Sequence, residues 1–147
     1  MMDHYRKSVR AMDGAEDTFR WCKENGIFIA TDTGFHREIT EAIMEGLKWK
    51  ERGLIDLAVD VEHTNGVGRP APYMIFHIMQ ALGVQSVHEA IKIGDTPADL
   101  LPGYNAGCAG NIGVLSGANS DATLGKYRHT HILPGVADLP ELINREF

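Results

Sequence analysis

The chain has 147 residues, of which 44% are hydrophobic and 23% are charged. This length suits one domain, and this composition is typical of a folded globular protein and argues against disorder. Asp and Glu outnumber Lys and Arg by 20 to 14, which gives a net charge of −6. An acidic chain without a basic run is poorly suited to nucleic acid or to a membrane surface, so we expect neither as a partner.

The two cysteines, Cys22 and Cys108, lie far apart in the sequence and show no metal-type spacing. They predict neither a disulfide framework nor a structural zinc site, which favours a reducing compartment. Residues 1–10 lack the apolar core of a signal peptide, and no stretch reaches the roughly 18 apolar residues of a membrane span. We therefore expect a cytoplasmic protein.

Short apolar runs alternate with helical patterns along the chain. The first helix is predicted to end at Gly26, because glycine readily adopts the left-handed conformation that terminates a helix. The predicted elements that follow are a strand at 27–31, a helix at 36–50, a strand at 54–59, a helix at 71–83, strands at 90–94, 111–115 and 131–133, and a helix at 137–143. Strands separated by single helices predict an α/β fold with a mostly parallel sheet, covered by helices on both faces.

Polar residues follow four of these strands. The stretches are TDTGF (31–35), VEHTNGVGRP (61–70), GDTPADL (94–100) and LSGANS (115–120). Ligands of parallel α/β sheets bind beyond the carboxyl ends of the strands, so these stretches are the candidate site.

The GDTPADL stretch supports two interpretations. Thr96 as N-cap, Pro97 at the first helical position and Asp99 at the third predict a capping box, which gives Asp99 a structural role in any case. Capping does not account for Asp95, whose carboxylate oxygens suit Mg²⁺. From this stretch alone, a metal site and a well-capped helix are about equally supported.

The neighbouring strand ends add groups that suit an anion. Thr31, Thr33 and Gly34 offer hydroxyls and backbone N–H groups at a helix start, although the same pattern fits another N-cap. Arg69 precedes Pro70, which favours an extended Arg69 and a helix beginning at the proline. An arginine fixed in this way can bind phosphate, whereas an isolated arginine is more often a solvated surface residue.

TDTGF, GRPAPYMI and IGDTPADLLPGYNAG, in this order, resemble the second, third and fourth motifs of the haloacid dehalogenase superfamily. They are most similar to its phosphonatase-like branch, whose best-known member hydrolyses phosphonoacetaldehyde. The resemblance runs from AMDGAED at 11–17 to the C-terminus. It implies a Rossmann-like parallel sheet, Mg²⁺ as cofactor and a small phosphate or phosphonate substrate.

The resemblance also implies a role for each matching residue. Thr33, with Gly34, would bind the transferring phosphoryl group, and Arg69 would stabilise its charge. Asp95 would ligate Mg²⁺. Asp99 would be the second acid, holding either the metal's water or the arginine in place. The metal would act as a Lewis acid and template.

Family members begin with an apolar strand that ends in an Asp-x-Asp motif, whose first aspartate attacks phosphorus. No such strand precedes AMDGAED, and the helical cap is absent too. We therefore expect one partial core domain over residues 1–147, a hydrolase by family that is inactive as an isolated chain. The alternative is a non-catalytic remnant that binds phosphate or Mg²⁺ or serves as an interaction module.

The absent strand is central in this superfamily, between the strands that match 27–31 and 90–94. Exposed strand edges invite another chain. We expect either that the two flanking strands pair directly, or that a second copy or a complementing chain fills the slot.

Other candidate residues are weaker. Asp60 and Glu62 have the spacing of an Asp-x-Asp motif, but they follow the strand at 54–59, so we interpret them as a coincidence. His129 and His131 would lie on one face of a strand, yet two imidazoles without a third ligand rarely bind a metal. Pro102 predicts a short or kinked helix after Thr96.

Overall fold

The computed structural model describes residues 15–32, 53–115 and 121–147. The helices are α1 (Ala15–Glu24), α2 (Tyr73–Leu82), α3 (Pro97–Ala106), α4 (Asp121–Leu124) and α5 (Leu139–Glu146), and the strands are β1 (Ala30–Asp32), β2 (Leu57–Val59), β3 (Ile91–Gly94), β4 (Gly110–Val114) and β5 (His131–Leu133). Short 3₁₀ helices occupy Val61–Thr64, Val87–Glu89 and Val136–Asp138. The predicted helix at 36–50 and most of the LSGANS stretch lie outside the described residues.

The strands form two parallel sheets. In the first, β1 pairs with β2, and Ala30 stands opposite Leu57. In the second, the order is β3, β4, β5, with Ile91 opposite Gly110 and Ile112 opposite His131. Every described pairing is parallel, so the predicted α/β class with parallel strands is confirmed.

Helices cover both faces of the second sheet. Ile112 of β4 is fully buried in a cluster with Leu139 and Leu142 of α5. Its neighbour Gly113 faces Leu100 of α3 and Leu124 of α4. Because successive residues of a strand point to opposite faces, this alternation places α5 on one face and α3 with α4 on the other.

We expected, as one of two possibilities, that the strands predicted at 27–31 and 90–94 would pair directly with each other. For the described residues this prediction is wrong. β1 and β3 belong to separate sheets and share no ladder. Helix α2 packs on β1 and β2, whereas its neighbour α3 packs on β3 and β4.

The two sheets are nevertheless tied together. Lys92 of β3 forms an ion pair with Asp32 of β1. On the other side, Lys23 of α1 pairs with Asp56, just before β2, while Thr18 of α1 donates to the carbonyl of Val136 beside α5. Helix α1 therefore connects the first sheet to the α5 face of the second.

Several predicted boundaries moved. The strand predicted at 27–31 is found at Ala30–Asp32, and the one predicted at 54–59 is limited to Leu57–Val59. The first helix does end as predicted, with Gly26 at φ +71°. Pro102 neither ends nor visibly shortens α3, which continues to Ala106. The proline ring is fully buried there.

Candidate active site

The carboxylate of Asp99, in the first turn of α3, is bound from two sides. Its Oδ2 accepts hydrogen bonds from the backbone N–H of Thr96 at 3.2 Å and from the Thr96 hydroxyl at 2.8 Å. Its Oδ1 lies 2.8 Å from Nη1 of Arg69 and 3.9 Å from Nζ of Lys92. The predicted capping role of Asp99 is confirmed, and the same carboxylate also forms ion pairs with two cations.

Gly94 makes room for this carboxylate. A Cβ at position 94 would lie 2.2 Å from Cβ of Asp99, a distance that real side chains do not reach. Gly94 ends β3, so the strand and the first turn of α3 touch without an intervening side chain. The glycine therefore sets how closely Asp99 approaches the strand end.

The pKa of Asp99 reflects opposing influences. Burial raises the pKa of this carboxyl, but the ammonium of Lys92, the Thr96 donors and the guanidinium of Arg69 lower it and together prevail. The pKa of Asp99 thus lies below its ordinary value. The carboxylate remains charged under all but strongly acidic conditions.

The loop that carries Arg69 is attached to α3 at two points. One is the ion pair between Arg69 and Asp99, and the other is a 2.8 Å hydrogen bond from the side-chain amide of Asn105 to the carbonyl of Pro70. The prediction that Pro70 begins the next helix is wrong. Helix α2 begins at Tyr73, because each residue before a proline is steered away from the helical conformation and Pro72 follows Pro70 closely.

Two charged residues that the sequence analysis passed over lie beside this pair. Nζ of Lys92 is 2.8 Å from Oδ1 of Asp32, and the two side chains are only 11% and 8% exposed. Lys92 is a single charge between two isoleucines of a strand, which is the signal that could have identified it. Asp32 stands between Thr31 and Thr33 in TDTGF, where the hydroxyls are the groups that most resemble an anion site.

The structure brings together Arg69 and Asp99, and it places Asp95 half-buried directly after β3. Thr33 and Gly34 lie outside the described residues. A carboxylate at Asp95 has the oxygen chemistry that Mg²⁺ prefers. Asp99 holds Arg69 through its Oδ1, while Asp95 follows the strand directly. Within 15–32, 53–115 and 121–147, no cluster of three or more His, Cys, Asp or Glu side chains suits a metal ion.

The weaker candidates have structural partners. Asp60 caps the 3₁₀ helix Val61–Thr64, and its Oδ1 accepts from the N–H of Glu62 at 2.9 Å. His129 was predicted to lie on a strand with His131, and this is wrong, because β5 begins at His131. Nδ1 of His129 lies 2.7 Å from the carbonyl oxygen of Tyr127.

No helix in the described parts of the chain has both the length and the apolarity needed to cross a bilayer.

The sequence profile of haloacid dehalogenase-like hydrolases matches residues 5–107. The chain belongs to this family. The phosphonoacetaldehyde hydrolase of Parabacteroides distasonis is 35% identical over 106 residues, which are 72% of this chain and 39% of the relative. That of Bacteroides fragilis is 33% identical over 135 residues, 90% of this chain and 47% of the relative. The chain thus spans less than half the length of these curated relatives.

Solved structures of haloacid dehalogenase-like hydrolases share the fold. A hydrolase of this family from Deinococcus radiodurans, solved with phosphate and sodium bound, superimposes with a TM-score of 0.81 at 22% identity over 92% of this chain and 59% of its own. A phosphonoacetaldehyde hydrolase-like protein from Oleispira antarctica gives 0.79 at 21% identity, over 98% of this chain and 59% of its own. The Rossmann-like fold and the resemblance to the phosphonatase-like branch are therefore confirmed.

Proposed function

We propose that this chain supplies the phosphate-binding and Mg²⁺-binding half of a phosphate or phosphonate hydrolase. The observation that carries the proposal is the Arg69–Asp99 pair, which joins the loop before α2 to the carboxyl end of β3. A guanidinium fixed at this edge of a parallel sheet suits an anionic ligand, and Asp95 next to it suits the divalent ion. The family and its named relatives point to the same chemistry.

In this proposal each residue has one task. Arg69 binds the phosphoryl oxygens and offsets their charge, Asp99 keeps the guanidinium in place, and Thr33 and Gly34, which follow β1 in the sequence, also bind the anion. Asp95 would hold Mg²⁺, with further oxygen ligands coming from substrate, water or residues beyond those described. Bound there, the metal would supply Lewis-acid stabilisation of phosphate charge.

The attacking carboxylate, we propose, comes from a strand that enters between β1 and β3 and lies in a complementing chain or a second polypeptide segment. In the described residues β1 and β3 do not pair with each other, and the Asp32–Lys92 ion pair brings the two strands near one another. Without it, the 147-residue chain binds ligand but does not turn it over. We place this activity in the cytoplasm, consistent with two free cysteines.

The test compares the isolated chain with a complemented one. The chain alone should hydrolyse a general phosphate ester with Mg²⁺ at least about 10⁴-fold more slowly than the Bacteroides fragilis relative. Adding the part of that relative which this chain does not match should restore turnover, and Arg69→Met in the chain should abolish the restored activity. Turnover by the chain alone that Asp95→Ala removes would contradict the proposal. Binding of phosphate without restored turnover would favour the non-catalytic module.

A further inference from the structure

Asp32 carries a buried carboxylate oxygen that has no partner among the described residues. The side chain is 8% exposed and its Oδ1 contacts Lys92, but Oδ2 has no hydrogen-bond donor among the described residues. A buried carboxylate oxygen that leaves water without gaining a donor costs free energy. Such an oxygen at a strand end of a candidate site is therefore a position where a ligand can donate.

Two other partly buried acids in the described residues do not share this feature. Asp56 binds Lys23 through Oδ1, and its Oδ2 accepts the backbone N–H of Ile29 at 2.7 Å. Both oxygens of Asp99 are likewise engaged, by Thr96 on one side and by Arg69 on the other. Asp32 differs from both of these carboxylates, since its Oδ2 has no partner among the described residues.

Asp32 is connected to the phosphate-binding arginine through alternating charges. Lys92 lies 2.8 Å from Asp32 and 3.9 Å from Asp99, which in turn binds Arg69. An anion that binds Arg69 and reaches along this chain of charges would therefore meet a carboxylate as well as cations. A carboxylate repels an oxyanion that has lost all its protons, but it accepts a hydrogen bond from one that still carries a proton.

We propose that Asp32 is a specificity-determining residue, whose Oδ2 accepts a hydrogen bond from a protonated phosphate or phosphonate. The inference rests on the phosphate site proposed above and names the form of ligand that the site takes. Inorganic phosphate keeps a proton near neutral pH, whereas sulfate, which has the same shape, has none. The site should therefore bind phosphate and reject sulfate, because a buried acceptor disfavours the ligand that leaves it unpaired.

Isothermal titration of the 147-residue chain at pH 7 in Mg²⁺ buffer, with inorganic phosphate and with sulfate at matched ionic strength, tests this. Wild type should bind phosphate at least about tenfold more tightly than sulfate, a difference of about 1.4 kcal/mol. Asp32→Asn, whose amide can donate to either anion and still accept from Lys92, should bring the two affinities within about threefold.

Asp56→Asn is the matched control, since it neutralises another lysine-paired carboxylate and should leave the phosphate preference unchanged. Circular dichroism shows whether each variant is folded. If Asp32→Asn is not folded, the ratio of the wild-type affinities for phosphate and sulfate tests the inference by itself. Equal binding of phosphate and sulfate by wild type would overturn the inference while leaving the proposed phosphate site intact. Binding of neither anion would overturn both.

Discussion

Arg69 donates a 2.8 Å hydrogen bond to Asp99, although the two residues are 30 positions apart in the chain. Asp99 is in turn fixed to Thr96 by the cap of α3. The capping interaction and the ion pair therefore share one carboxylate. A single side chain links the start of a helix to the orientation of the guanidinium that we propose binds phosphate.

Replacing Arg69 should affect binding much more than folding. Arg69→Met removes the cation, and we expect the affinity for inorganic phosphate, measured by titration calorimetry, to fall at least about tenfold. Its side chain is 29% exposed, so the free energy of unfolding should fall by only about 1 kcal/mol or less. Arg69→Lys should recover part of the affinity, because an ammonium restores the charge but not the paired N–H donors of the planar guanidinium.

Arg128→Met is the control for this prediction. Arg128 packs over the ring of Tyr104 at 5.3 Å and has no role in the proposed site. Its removal subtracts the same charge from the chain and should leave phosphate affinity within about twofold. Equal losses of affinity in the two variants would mean that net charge, and not the position of Arg69, governs binding.

Asp99→Asn should change how stability depends on pH. The folded pKa of Asp99 lies below its usual value of 3.8, so the carboxylate stabilises the fold above that pH, and this contribution is lost as the pH falls through the folded pKa. At pH 7, urea unfolding should show a loss of about 1–2 kcal/mol in the variant. Below the folded pKa the difference from wild type should vanish. A constant difference at every pH would contradict the assigned cause.

Gly94→Ala should disturb the same carboxylate through space. The new Cβ would lie 2.2 Å from Cβ of Asp99, so the strand and helix must separate, at a cost of about 1–3 kcal/mol in urea unfolding. Gly135→Ala is the matched control, since a Cβ there meets nothing within 4 Å and the backbone is extended. A variant at position 94 as stable as that at position 135 would show that this contact is not tight.

The features that depend on neighbouring residues in the sequence could be predicted from it. The capping box follows from Thr96, Pro97 and Asp99 themselves, and it is present in the fold. The α/β class follows from the alternation of apolar runs and helical patterns, and the parallel pairings confirm it.

What sequence could not predict depends on tertiary placement. The ion pair of Lys92 could not be predicted, because nothing in the strand sequence IKIG shows which acid lies opposite it. Its partner Asp32 is 60 positions away. The separation of β1 and β3 into two sheets could not be predicted either, because pairing between strands distant in sequence depends on tertiary contacts that neither strand specifies alone.

The thiols should react slowly with alkylating agents. Burial raises the pKa of Cys22, and burial is also the main influence that raises the pKa of Cys108. Since the thiolate is the reactive form, iodoacetamide at pH 7.5 should modify both thiols more slowly than free cysteine, as followed by mass spectrometry. In urea the rates should rise to that of free cysteine. Rapid modification of the folded chain at either site would contradict the burial assigned here.

The Asp32–Lys92 pair should hold the two sheets together more strongly than an exposed pair would. Lys92→Met leaves Asp32 buried without a counter-ion, and urea unfolding should show a loss of about 3–5 kcal/mol. The double variant Asp32→Asn with Lys92→Met removes both charges and should be more stable than Lys92→Met alone, because no uncompensated charge remains.

Lys23→Met provides the comparison for this pair. It breaks the Lys23–Asp56 ion pair, whose side chains are 31% and 21% exposed, so solvent screens the interaction and the loss should be about 1 kcal/mol. Hydrogen exchange should then separate the two cases. Lys92→Met should accelerate exchange of the β1 and β3 amides, because the ion pair joins those two edges, whereas Lys23→Met should act on β2 and α1. Uniform acceleration in both variants would indicate that neither pair is specific to one junction of the fold.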